Sequence, residues 1–137
     1  MMQVRLATVA DAGMLKMNSP LSKAVILHKI VMGEAIVAEA NGTPVGFCFI
    51  EFLWSKFPYI GMVRVDEQHR RRGFGRAMLQ FLEARLRDQG HRKLYSSSQA
   101  NEPEPQAWHR QMGFEECGFI AGINEAGIGE IFFQKQL

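Results

Sequence analysis

The chain has 137 residues and a mass of 15.5 kDa, 47% of them hydrophobic and 22% charged. That is one domain's worth of chain, able to bury roughly two-thirds of its unfolded surface, and it excludes a multi-domain machine, a disordered tail and a collagen-like fibre. The formal charge of +2 is uneven: residues 60–100 carry +5 and residues 101–137 carry −4. Two cysteines 69 positions apart make neither a disulfide framework nor a zinc spacing, so a reducing, cytoplasmic setting is expected. The longest apolar run, residues 45–50, is far short of the roughly 18 residues of a membrane span, and Met1-Met2-Gln3 does not open a signal peptide.

Taken in order, residues 3–7 alternate polar and apolar side chains as a strand does, and Thr8 with Asp11 forms a capping box for a short helix. Ser19-Pro20 restarts a helix that runs to about Met32. Residues 35–40 read as a strand, Asn41-Gly42 as a tight hairpin turn, and residues 45–53 as the returning strand. After the aromatic turn of residues 54–58, residues 59–65 form a strand in which Gly61 marks an expected bulge. Residues 66–72 break the pattern. A helix follows over residues 74–88, with Phe74, Met78, Leu79, Phe81, Leu82 and Leu86 as its apolar stripe and Gly90 as its end. Residues 93–96 read as a strand, 102–112 as a helix stopped by Gly113, and 114–120 and 129–135 as two closing strands. This order, β-α-α-β-β-β-α-β-α-β-β over a single domain of residues 1–137, predicts an α/β fold of the α+β type. Its central sheet is mixed and mostly antiparallel, with about seven strands and about four flanking helices.

The informative segment is Val65-Asp-Glu-Gln-His-Arg70-Arg71-Arg72-Gly73-Phe74-Gly75-Arg76-Ala-Met-Leu, which holds four of the ten arginines. A strand ends, an arginine- and glycine-rich turn follows, and a helix begins. Unpaired N–H groups therefore gather at the positive end of the helix dipole, where the glycines let a phosphate approach closely. The guanidiniums of Arg70, Arg71, Arg72 and Arg76 add charge. A dinucleotide fingerprint fails, because Met78 stands where a small residue is required and seven residues separate Val65 from Gly73. A nucleic-acid patch finds no further basic stripe or stacking platform, and a solvated arginine turn is the plain alternative.

Arg70-x-x-Gly73-x-Gly75 followed by Arg-Ala-Met-Leu resembles the coenzyme A signature Arg/Gln-x-x-Gly-x-Gly/Ala of the GNAT family of N-acetyltransferases. Asn101 and then Ala107-Trp108-His109-Arg-Gln-Met-Gly113-Phe114 resemble that family's Asn…Ala-x-x-Tyr-x-x-x-Gly-Phe segment, and the opening Val4-Arg-Leu-Ala-Thr-Val-Ala-Asp11-Ala is similar to a common start of the family. The resemblance implies that acetyl-coenzyme A lies in a gap between two splayed central strands and that a primary amine attacks the thioester directly. Carried onto this chain, it implies that the backbone N–H groups of Arg71 to Arg76 hold the pyrophosphate. The backbone of Val63, Arg64 and Val65 would pair with the pantetheine arm, and Asn101 would touch the pantetheine or the thiolate; the other reading of Asn101 is a helix cap.

The chain departs from the family pattern at His109, which stands where a tyrosine commonly protonates the leaving thiolate; it is either that acid or an ordinary half-buried helix residue. For the base that deprotonates the amine, Glu51 ranks first and the pair Asp66 and Glu67 second, each with a plain surface alternative. Cys48 and Cys117 read as small core residues. His28, His69 and His91 lack metal-ligand spacing, so no metal is expected. Trp54, Phe57 and Tyr59 of the aromatic turn either wall an acceptor pocket, with Met14, Met17 and Met32, or pack the hairpin or a homodimer contact. The expected partner is a small-molecule or peptide amine, with neither nucleic acid nor membrane. The missing tyrosine leaves open a non-catalytic acyl-coenzyme A sensor of the same fold.

Overall fold

The computed structural model describes residues 1–137. Seven strands, β1 (Met2–Leu6), β2 (Ala35–Ala40), β3 (Thr43–Leu53), β4 (Phe57–Val65), β5 (Lys93–Gln99), β6 (Glu115–Ile120) and β7 (Glu130–Gln136), form one sheet in the order β1-β2-β3-β4-β5-β7-β6. Four helices accompany them: α1 (Ala12–Met17), α2 (Lys23–Met32), α3 (Phe74–Asp88) and α4 (Pro103–Gln111). β4 and β5 are parallel, with Tyr59 opposite Tyr95, whereas β1–β2, β2–β3, β5–β7 and β6–β7 are antiparallel. The expected element string and sheet type are therefore present.

The contacts divide the chain into two compact units, residues 1–51 with 62–85 and residues 52–61 with 86–137. In the first, Val37 of β2 and Phe47 and Phe49 of β3 turn their side chains to one face and meet Leu15 of α1 and Ile26 of α2, all almost fully buried. The opposite face of β3 has Gly46, where an added Cβ would lie 2.9 Å from the Arg64 carbonyl oxygen and 3.3 Å from Met78 Cε of α3. Glycine is needed there for close approach. Lys29 of α2 is buried, and its Nζ donates to the Ile50 carbonyl at 2.6 Å. Arg5 of β1 donates to both Asp11 oxygens (2.7 and 3.0 Å) and to Glu39 of β2 (2.9 and 3.1 Å), so the buried Asp11 carboxylate is paired. Asp11 also receives the Thr8 N–H at 2.7 Å, the backbone half of the anticipated capping box.

In the second unit, α4 covers the face of β5 and β7 that carries Ser96 and Phe133. Gly113, at φ +92°, reverses the chain after α4, and the N–H of Phe114 closes on the His109 carbonyl at 2.9 Å. Phe114 is thereby turned inward, its ring edge 5.3 Å from the imidazole of His109. β6 lies at the sheet edge and is exposed along its whole length.

Several boundaries differ from expectation. α2 is capped by Ser22, whose Oγ accepts the Val25 N–H at 3.3 Å, so Ser19-Pro20 belongs to the preceding turn. β4 starts at Phe57 because Trp54 and Ser55 adopt left-handed conformations (φ 53° and 57°) and shorten the turn. β5 extends three residues past Ser96, through Ser97, Ser98 and Gln99. Bulges sit at Ala38/Glu39 and Glu116/Gly118. Cys48 is a core residue, its thiol pushed up to about 12 by burial, but Cys117 is exposed in β6, contrary to expectation. No helix is long and apolar enough to cross a membrane, and no three His, Cys, Asp or Glu side chains gather as metal ligands do.

Candidate functional site

In the first unit the loop between β4 and α3 is anchored at both ends. The Asp66 N–H donates to the Val45 carbonyl at 2.8 Å, a single 3-10 turn spans Glu67–His69, and Arg70 Nε folds back onto the Val65 carbonyl at 3.0 Å. The chain then reverses through two left-handed residues, Arg71 (φ 62°) and Gly73 (φ 90°). A Cβ at position 73 would meet nothing closer than 4.0 Å, so glycine is required there by the backbone angle and not by crowding. The Ala77 N–H closing on the Gly73 carbonyl at 2.9 Å is the first bond of α3. The N–H groups of Phe74, Gly75 and Arg76 precede it and are the donors that a helix start leaves over. Phe74 is buried, with the His69 ring edge-on at 5.8 Å, which fixes the first turn of the helix.

Arg70, Arg71, Arg72 and Arg76 are all exposed, and none forms an ion pair. Four uncompensated guanidiniums beside a helix N-terminus make a strongly anion-attracting surface. Val63 and Val65 are half-buried on β4 and Arg64 is exposed. A pocket of about 180 Å³ in the same unit is lined by Met14, Asn18, Gly46, Arg64 and Asp66, among others. Glu51, the leading candidate base, is exposed on β3.

In the second unit Asn101 is exposed and is not the helix cap, which is Glu102; Gln106 ties that turn instead, through the carbonyls of Gln99 (3.2 Å) and Ala100 (3.0 Å). His109 is buried, and both of its ring nitrogens are engaged. Nδ1 lies 2.7 Å from the Pro105 carbonyl, which only accepts, so Nδ1 carries the hydrogen; Nε2 then accepts from Ser96 Oγ at 2.7 Å. The ring is stacked on Phe133 at 4.5 Å and 3°. Burial holds the imidazole below its ordinary value, offset in part by the Pro105 bond and by the charge of Glu130. His109 is thus a buried residue with both ring nitrogens partnered inside the protein, deeper than the half-buried position expected.

On the opposite face of the same strands lies a group of which the sequence reading singled out only Tyr59, as one ring of the aromatic turn. Tyr59 Oη is 2.5 Å from Ser97 Oγ, Ser97 Oγ donates to Glu130 Oε2 at 2.5 Å, and Asn124 Nδ2 donates to Glu130 Oε1 at 2.8 Å. The Tyr59 ring is stacked on Phe132 at 5.8 Å. Tyr59 and Ser97 are 38 positions apart and Ser97 and Glu130 are 33, so no local pattern brings these three together.

A sequence profile of the acetyltransferase (GNAT) family matches residues 20–114. The chain belongs to this family. It is 33% identical over 97 residues to a probable N-acetyltransferase 14 from Danio rerio; the match covers 69% of this chain and 34% of that protein, so the chain spans about a third of that relative's length. Its fold is similar to that of the ribosomal-protein-S18-alanine N-acetyltransferase from Escherichia coli (TM-score 0.82, 19% identity, 99% of this chain and 94% of that one). It is also similar to a putative streptothricin acetyltransferase from Bacillus anthracis solved with acetyl coenzyme A (TM-score 0.70, 17% identity, 75% and 61%).

Proposed function

We propose that this chain is a single N-acetyltransferase domain that moves the acetyl group of acetyl-coenzyme A to a primary amine by direct attack. The observation that carries the reading is the β4–α3 loop, in which helix N-terminal donors, two left-handed residues and four unpaired guanidiniums come together. A pyrophosphate fits this chemistry. The N–H groups of residues 71–76 bind its oxygens, and Arg70, Arg71, Arg72 and Arg76 supply charge. Val63, Arg64 and Val65 offer strand backbone to the pantetheine arm, and exposed Asn101 has its side-chain amide available for a polar contact. The coenzyme brings the activated acetyl group as a thioester with a good leaving group, so a protein acid is helpful but not required. The two free cysteines suit a reducing compartment, and a cytoplasmic location goes with the proposal.

The partnered state of His109 favours a second reading, an acyl-coenzyme A-binding module without turnover, since both ring nitrogens at the motif's tyrosine position are already engaged within the protein. Calorimetric titration with coenzyme A tests the binding claim common to both readings. Wild-type protein should bind, and Arg72→Ala combined with Gly75→Glu should not. An acid in the first helical turn suits the helix dipole but repels phosphate, and circular dichroism of the variant checks that its fold is kept. Retained affinity in the variant overturns the site.

A further inference from the structure

We propose that the pocket formed by α1, β3 and β4 binds a free α-amino acid with a small apolar side chain, its carboxylate on Arg64 and its ammonium on Asp66. The pocket lies wholly within the first unit, and the proposal does not depend on the acetyltransferase reading. A pair of opposite charges that share one pocket without neutralising each other carries it. Arg64 and Asp66 both line the pocket, yet neither side chain forms an ion pair or a hydrogen bond, with the other or with a third residue. Their backbones are fixed. The Arg64 carbonyl oxygen packs against Gly46 so closely that a Cβ there would lie 2.9 Å away. The Asp66 N–H donates to the Val45 carbonyl at 2.8 Å, and the Asp66 carbonyl accepts the His69 N–H at 2.8 Å. Asn18, just after α1, adds a third polar group: its Nδ2 donates back to the Met14 carbonyl at 2.8 Å, which leaves Oδ1 as an acceptor. Half-buried Met14 and buried Val45 and Phe47 give the pocket an apolar wall.

This arrangement selects by charge and by size. A zwitterion finds a partner for each of its charges. The planar guanidinium of Arg64 suits a carboxylate, and the Asp66 carboxylate with the Asn18 amide oxygen suits an ammonium, which has donors only. A ligand with a single charge satisfies one group and faces the other, which has the ligand's own sign; a neutral ligand leaves both to be desolvated without compensation. At about 180 Å³ the pocket has the volume of roughly six waters at about 30 Å³ each, well below the roughly 300–1,000 Å³ of sites for drug-sized ligands, so it admits an amino acid and not a coenzyme. The apolar wall receives the side chain, and the flexible thioether of Met14 adapts to its length. The first residue of a peptide offers the same ammonium without the adjacent carboxylate, so the pocket prefers the free amino acid to a peptide N-terminus.

The test is isothermal titration calorimetry of the full chain with L-alanine, L-valine and L-leucine, and with the amide and the N-acetyl derivative of each. At least one free amino acid should bind, and both of its derivatives should bind about tenfold or more weakly, because each lacks one charge-assisted contact. Arg64→Gln should lower the affinity for that amino acid by a similar factor and remove its advantage over the amide. Asp66→Asn should lower it likewise and remove its advantage over the N-acetyl form. Both residues are exposed, and circular dichroism checks that the variants fold; the derivative series on the wild type tests the claim without them. No binding of any of the three amino acids at millimolar concentration, derivatives that bind as well as their parent, or an affinity that fewer than both variants lower would each overturn the assignment. Thiol release from acetyl-coenzyme A is not part of the readout, so the acetyltransferase reading stands or falls separately.

Discussion

Replacing His109 gives the sharpest test of how the second unit is held together. The imidazole is buried, stacked on Phe133 and edge-on to Phe114, and bonded to Ser96 and Pro105. In His109→Ala the lost ring leaves a cavity worth about 2–3 kcal/mol, and Ser96, itself 1% exposed, loses its partner at about 1–3 kcal/mol. A total of about 3–6 kcal/mol is a large share of the roughly 5–15 kcal/mol of a small domain. The pH dependence adds an independent signature. Burial lowers the folded pKa of His109 below its ordinary 6.5, so the unfolded chain takes up a proton first as the pH falls. The stability from keeping the ring neutral is complete above pH 6.5 and is lost toward the folded value, with a slope of at most about 1.4 kcal/mol per pH unit. Urea denaturation of wild type and His109→Gln between pH 5 and 8 reads both effects. The variant should be less stable at pH 8 and should lack this part of the slope. Equal pH dependence in the two proteins would refute the reasoning, and a variant that keeps full stability but loses turnover would return His109 to the role of proton donor.

The other predictions are more local. Arg5 holds the Asp11 carboxyl below its usual range, so Asp11 stabilises the fold above about pH 4 and ceases to as the pH falls through its lowered pKa; Asp11→Asn should cost about 2–4 kcal/mol at pH 7 and flatten acid unfolding below pH 4. Gly46→Ala drives a Cβ to 2.9 Å from the Arg64 carbonyl oxygen, and thermal unfolding should show a loss of about 1–3 kcal/mol, with Gly42→Ala as a control where nothing lies within 4 Å but φ is +82°. Iodoacetamide followed by mass spectrometry should label exposed Cys117 well before Cys48, whose thiol is both buried and pushed up to about 12.

How much of this was legible in the sequence varies with the range of the interactions. Asn41-Gly42 carries its turn in its own backbone preferences, and both residues adopt the left-handed conformation (φ 51° and 82°). α3 was legible because its apolar stripe is strong and Gly73 precedes it. The extent of β5 was not, because Ser96-Ser97-Ser98 has no apolar alternation; Ser96 and Ser98 are buried all the same, Ser96 against His109. The start of β4 was hidden because its turn uses Trp54 and Ser55, without glycine, in left-handed conformations. At the candidate site, the arginine- and glycine-rich loop between β4 and α3 is a contiguous motif and was readable. Ser96 beside His109 and Ser97 beside Glu130 both come from β5, and only the folded chain brings these pairs together.

The central claim is most directly tested by a continuous assay of free thiol released from acetyl-coenzyme A across a panel of primary amines, comparing wild type with Gly75→Glu. Saturable thiol release with at least one amine in the wild type, abolished in the variant, is the predicted result. Tight coenzyme binding with no thiol from any amine, or equal rates in the two proteins, would contradict it.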